Sequence, residues 1–264
     1  MRPVRALCLV VVAVCAFGTS VPADVVTISD VPSYKWYHGC GPTAAGMIIG
    51  YWDAHGYDNL IPGSNSWSTN QQAVKNMIAS PGHIRDYVPT PDRTPTGADP
   101  YHADNCVADF NHCSRDPNAY GWSTFHWQDD GLEDYAAYRG YTGLNATNWT
   151  FWDNTFWPWY KAEIDAERPV ELLVDSDNDG LSDHFVTAIG YDNTPGALEY
   201  ACYNTWDHNV HWYGFKMALK DVSFGIYGGT SFVPIPEPAT MMLVAGGVLV
   251  LVARSRRRRS ASDV

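Results

Sequence analysis

Lysine is the first shortage, with five in 264 residues against 29 aspartates and glutamates. Seven of the 17 basic residues are arginines in segments 1–23 and 254–264, which hold one acid, Asp263. Residues 24–253 therefore keep 10 basic and 28 acidic side chains, a net charge of −18. That surface excludes nucleic acid as a partner, because phosphate binding runs on Lys and Arg neutralisation. It suits a soluble extracellular protein that meets calcium. There is no internal repeat, which leaves roughly 210 residues between the ends for one large domain with a substantial core. His102, His112, His126, His208 and His211 fall into no zinc-ligand spacing, and the thiol-rich context of most zinc modules is absent. Cysteine is sparse too: Cys8 and Cys15 sit in the N-terminal segment, leaving Cys40, Cys106, Cys113 and Cys202. What the chain has in plenty is tryptophan and tyrosine, 11 and 16 residues.

The two ends carry addresses. A basic start (Arg2, Arg5), an apolar run from Ala6 to Phe17 and small residues up to Val21-Pro22-Ala23 form the order of a secretory signal peptide. The apolar run is too short to span a bilayer stably, so residues 1–23 are expected to be removed after Ala23. The other end, 233–264, reads Pro236-Glu237-Pro238, then an apolar stretch from Ala239 to Ala253, then Arg254 and Arg256 to Arg259. By itself this is a transmembrane helix whose arginines stay cytoplasmic. Motif, helix and arginine cluster in that order resemble the PEP-CTERM sorting signal of bacteria with an outer membrane. The resemblance implies an exosortase-type processing enzyme as partner, transient anchoring in the inner membrane, and then a place at the cell surface or outside the cell. In that oxidising compartment Cys106 and Cys113, close together in a polar stretch, are the expected disulfide.

Along the chain, Val25 to Ile28 reads as a strand. The segment Gly41 to His55 reads as a buried helix with Pro42 in its first turn, where proline is tolerated. Residues 56–130 are dense in turn formers, with one helix around Gln71 to Ala79. Further helices are expected over Gly131 to Arg139, closed by Gly140, and over Trp159 to Glu167. After Arg168-Pro169 the pattern turns to strands: Val170 to Val174, His184 to Tyr191, Glu199 to Asn204 and Val210 to Phe215. Turn signals between them, such as Asp192-Asn193-Thr194-Pro195-Gly196, fit an antiparallel sheet. Helices first and then a sheet define an α+β fold class.

Cys40 precedes the first helix, whose free N–H groups and dipole would favour a thiolate. It is a candidate nucleophile, with a tight Gly39-Cys40-Gly41 turn or a disulfide to Cys202 as the alternatives. A nucleophile needs a base, and the base needs a group that holds its ring. His184 opens the apolar strand Phe185 to Tyr191 and would be held rigidly there. Asn204, ending the strand Tyr200 to Tyr203, could accept from the imidazole, with Asp207 as a substitute. Each also has an ordinary structural reading.

Gly39-Cys40-Gly41-Pro42-Thr43-Ala44-Ala45, with Asp183-His184-Phe185-Val186 running into Ile189-Gly190-Tyr191-Asp192, resembles the papain-like cysteine peptidases of the bacteriocin-processing type, in particular their secreted single-domain relatives. The likeness covers most of residues 30–215, strong at these two motifs and weak between them. It implies a papain-like peptidase domain over 24–232, with the nucleophile helix packed on the C-terminal sheet. It also implies Cys40 as nucleophile, His184 as general base, Asn204 as orienting residue, and a peptide or protein substrate, with no cofactor required for the chemistry. Such enzymes carry a Gln six residues before the cysteine that donates to the oxyanion; here that place is Tyr34. Its hydroxyl, Lys35 or His38 could serve instead. Losing such a donor costs on the order of a hundredfold in turnover, so a catalytically silent binding or matrix protein is the rival expectation.

Asp175-Ser176-Asp177-Asn178-Asp179-Gly180-Leu181-Ser182-Asp183 places acids at alternate positions with a glycine sixth, like the first half of a calcium loop. Val186 falls where the twelfth-position Glu would be. The motif predicts either a smaller Ca²⁺ site using Asp175, Asp177, Asp179 and Asp183, or a solvated hairpin turn. The aromatic runs Trp122 to Trp127, Trp149 to Tyr160 and Trp206 to Tyr213 are expected in the core or along a groove.

Overall fold

The computed structural model describes residues 24–63, 71–87, 102–115, 119–152 and 154–233. The expected export segment 1–23 and the expected transmembrane helix of the tail lie outside the described residues; within the described residues no helix is long and apolar enough to cross a membrane. The chain begins with strand β1 (Val25–Thr27) and helices α1 (Cys40–Ala54), α2 (Gln72–Ile78), α3 (Pro81–Tyr87) and α4 (Val107–Phe110). A 3-10 turn (Phe125–Trp127) leads into α5 (Gln128–Tyr138), then β2 (Asn145–Thr150) and α6 (Phe156–Asp165). Strands β3 (Val170–Asp175), β4 (His184–Asp192), β5 (Glu199–Tyr203), β6 (His211–Gly214) and β7 (Gly225–Val233) complete it.

Helix α1 is the central element. All of it except Trp52 and Ala54 is buried, which is what a helix of small and apolar residues on every face requires. One side packs Ile48 and Ile49 with Val74, Met77 and Ile78 of α2 and Leu132 and Tyr135 of α5. The other side lies on the sheet, where Thr187 of β4 donates its hydroxyl to the Ala44 carbonyl at 2.8 Å.

The named strands form one antiparallel sheet in the order β2-β7-β3-β4-β5-β6, with β1 paired to the far end of β4. Every residue of β3 is buried because the sheet is covered on both faces. Val170, Leu172 and Val174 meet Phe156, Tyr160 and Ile164 of α6. On the opposite face Leu173, paired with Phe185 of β4, meets Cys40 and Ala44 of α1. The architecture is α+β, as expected, and it fixes the start of α1 above the middle of the sheet.

Strands β2 and β7 were not expected. In β7, Gly225, Gly228 and Gly229 mimic a turn, yet the glycines make room for neighbours. A Cβ on Gly229 would stand 2.8 Å from a Leu172 methyl and 3.0 Å from the Trp159 ring. The expected Cys106–Cys113 bridge is also not formed, and all four described thiols are free and buried. Helix α4 separates the pair: Cys106 Sγ donates to Asp109 Oδ2 at 3.1 Å, while Cys113 lies beneath Gly39, where a Cβ would come within 2.6 Å of its sulfur. Cys202 is buried in β5 among residues that face α6, so it is no partner for Cys40 either.

Candidate active site

The first residue of α1 is Cys40. Thr43 fastens this helix start, because its N–H and hydroxyl both donate to the Gly39 carbonyl, at 3.2 and 2.6 Å. The hydroxyl oxygen also accepts the Tyr37 N–H at 3.0 Å. Gly41 is a space requirement: a Cβ there would come 2.8 Å from Ser123 Oγ. Motif, cap and buried neighbours thus hold the cysteine in one place.

His184 opens β4, one residue before Phe185, which packs on Cys40. Cys40 and His184 line the same cleft of about 520 Å³, walled by Trp36, Tyr120, Trp122, Phe125 and Tyr227. His184 Nε2 lies 2.8 Å from the backbone carbonyl oxygen of Asn204. A carbonyl only accepts, so Nε2 carries the proton, and the neutral ring keeps its Nδ1 lone pair for a proton transfer. Trp206 stacks on the ring, with centroids 4.6 Å apart and planes 27° apart.

Asn204 therefore holds the histidine through its main chain and not, as expected, through its side chain. The side-chain Oδ1 accepts the N–H groups of Trp206 and Asp207, at 2.9 and 3.4 Å, and shapes the turn that presents carbonyl and indole together. Asp207 bonds His211 at 2.9 Å instead.

Tyr34 is not at the cleft. It is fully buried and its hydroxyl packs against Gly50, ten residues along α1 from Cys40 and so about 15 Å away at the helical rise. Its aromatic ring belongs to the apolar core, which is the physical reason the expected oxyanion role fails. Lys35 is exposed, and the His38 ring bonds the Tyr120 hydroxyl at 2.7 Å. At Cys40 the fold offers a backbone N–H at the free end of α1, which has no partner within the helix.

Electrostatics differ from the expectation of a stabilised thiolate. Burial pushes the Cys40 thiol up to about 12, against hydrogen bonds from the Phe185 and Gly41 N–H groups that pull it down. Burial also lowers the His184 imidazole below its usual 6.5, while the Asn204 hydrogen bond and the charge of Asp183 oppose that shift. The helix end is outweighed by desolvation, and the resting pair at neutral pH is thiol and neutral imidazole.

Of the calcium motif, Asp175, Asp177 and Asp179 bring carboxylate oxygens within 4.8 Å of one another. Asp183 is not in that group: its carboxylate accepts the Ser176 N–H and hydroxyl, at 2.8 and 2.9 Å. The oxygens of Asp175 accept from the N–H groups of Asn178 and Gly180, at 2.8 and 2.7 Å. The loop is self-bonded, and it leads directly to His184.

A buried helix that starts on a cysteine, laid over an antiparallel sheet that carries a histidine into the same cleft, defines a papain-like cysteine peptidase class. The Peptidase_C39 like family model matches residues 28–231, and the chain belongs to that family. A PEP-CTERM protein-sorting motif matches residues 234–258, which implies export and a membrane-anchored, then surface or extracellular, route. No curated protein matches. Among solved structures, one match comes from work titled "Structural basis for the limited antibody cross reactivity between the mite allergens Blo t 1 and Der p 1". It is 13% identical, covers 83% of this chain and 73% of that one, and has a TM-score of 0.34.

Proposed function

We propose that the chain is a secreted cysteine peptidase in which Cys40 attacks a peptide carbonyl while His184 takes the thiol proton. The observation that carries this reading is the tautomer: the Asn204 carbonyl binds Nε2–H and leaves the Nδ1 lone pair in the cleft that Cys40 lines. Proton transfer accompanies attack, since the resting sulfur is a thiol. The Cys40 N–H receives the developing oxyanion. The imidazolium then protonates the leaving amine, and water, activated by the same histidine, releases the acyl group. An exosortase-type enzyme would remove the tail before or during release from the inner membrane.

Calcium in the Asp175–Asp179 loop belongs to the same proposal, as a stiffener of the turn before His184. A melting temperature raised by calcium and returned by EGTA checks it. The second reading, a binding protein without turnover, is favoured by the core position of Tyr34, because one expected oxyanion donor is missing. Hydrolysis of a diverse peptide mixture decides between them. Cleavage that disappears in both Cys40→Ala and His184→Ala supports the peptidase; cleavage that survives in either variant contradicts the roles given to this pair, and no cleavage by the wild type supports the rival.

A further inference from the structure

Away from the cleft, α3, α4 and the segment between His102 and Cys106 meet around one buried carboxylate. Asp109 Oδ1 lies 2.8 Å from His83 Nδ1. Asp109 Oδ2 accepts from Cys106 Sγ at 3.1 Å and from the Asn105 N–H at 3.1 Å, and lies 3.2 Å from His102 Nε2. His83, Cys106 and Asp109 are fully buried, and each offers a ligand atom within 4.8 Å of the others. None of these residues takes part in the proposed catalysis.

The histidines carry the argument beyond a plain hydrogen-bond network. His102 Nδ1 is 2.6 Å from Asp86 Oδ2, so the ring stands between two carboxylates with one N–H when neutral. If Nδ1–H goes to Asp86, the Nε2 lone pair is directed at Asp109 oxygen, an arrangement that a cation between them resolves. A carboxylate behind a histidine whose other nitrogen faces a ligand cluster is the outer shell that fixes zinc-binding imidazoles. His83 faces the cluster through Nδ1, while its Nε2 is buried with no partner among the described residues, which leaves Nε2 free to carry the ring proton when Nδ1 binds a cation.

We propose that His83, Cys106 and Asp109, with His102 as the fourth ligand, form a structural zinc site. The donor set is two imidazoles, one thiolate and one carboxylate, the mixed nitrogen, sulfur and oxygen ligation that Zn²⁺ takes in four-coordinate sites. Its charge closes: one thiolate and one carboxylate neutralise the dication, which suits full burial. On binding, the Cys106 thiol proton leaves to solvent and the His83 proton moves to Nε2. With four protein ligands and little exposure the site has no open position, so its work is to join α3 to α4. Spacing alone conceals it, because His83 and Cys106 stand 23 residues apart with a turn-rich stretch between them.

The test is the metal content of the full exported chain, purified without chelators and dialysed, by plasma mass spectrometry. About one zinc per chain is expected, retained in Cys40→Ala and lost in Cys106→Ser and His83→Gln. Because those two variants could fail to fold, cobalt(II) replaces zinc in the wild type as a second measurement. A thiolate-to-cobalt charge-transfer band that persists in Cys40→Ala supports the site. Wild-type protein that stays free of zinc after incubation with zinc chloride and shows no cobalt band overturns it, as does zinc lost in Cys40→Ala, which would place the metal in the cleft. Peptide hydrolysis is read separately, so failure of the zinc site and of the peptidase reading are distinguishable.

Discussion

At the scale of single residues, the two side chains proposed as nucleophile and base were legible because the proposal rests on local motifs: glycines around Cys40, and a histidine opening an apolar strand, which the fold brings to one cleft. Tyr34 was not, because its distance from the cleft is set by how the chain enters the core. Nor could the sequence show that Asn204 meets His184 through its carbonyl, which depends on the turn its side chain builds. Trp206 was visible only as one aromatic among many, yet it covers the His184 ring and helps keep it desolvated. Trp206→Ala should therefore let the imidazole return toward its ordinary 6.5. The base works when unprotonated, so activity is lost as pH falls through its pKa, and the variant should lose activity at a higher pH than wild type. The acid limb of kcat/KM against pH measures this; coincident limbs would show that the indole does not set the histidine's environment.

At the scale of elements, long apolar segments were read well. Helix α1 and strands β3, β4 and β5 fall within a residue of the expected limits, because burial on both sides leaves an unbroken apolar run. Strands β2 and β7 were hidden by polar residues and glycines, whose fit depends on the neighbours they meet. Strand β3 also carries a cost. Glu171 is fully buried, and neither of its carboxyl oxygens has a partner among the described residues. Burial raises its pKa well above 4.5. The folded state then holds a proton that the unfolded chain releases above about 4.5, so stability is lost as pH rises from there toward the folded pKa. Glu171→Gln removes that loss: its melting temperature should gain on wild type progressively from pH 5 to pH 8. A constant difference across that range would mean the carboxyl is already ionised in the fold.

At the scale of the molecule, an expected export signal and a PEP-CTERM motif flank a strongly acidic domain, and the motif was readable because the order of its parts carries the signal. If the tail is a temporary anchor, intact mass of the protein recovered outside the cell should lack Arg254 and Arg256 to Arg259, and changing Pro236-Glu237-Pro238 to alanines should leave the full tail in place. Recovery of the released protein with its arginines would make the segment an ordinary anchor. The free thiols matter here as well. Under the proposed function Cys40 would work in an oxidising compartment, and its burial, which pushes the thiol up to about 12, disfavours the thiolate that oxidation needs. Cys202, the pairing alternative read from the sequence, is buried in β5 among residues that face α6.

The central claim is that Cys40 and His184 act as one unit within the cleft. The most direct measurement is covalent labelling by a peptidyl epoxide, followed by mass mapping of the modified residue in wild type, His184→Ala and denatured protein. The account predicts one adduct, on Cys40, formed by the folded wild type and reduced at least about a hundredfold in His184→Ala, the usual scale for losing a general base. Labelling that is absent from the folded wild type, or equal in the two folded proteins, would contradict it.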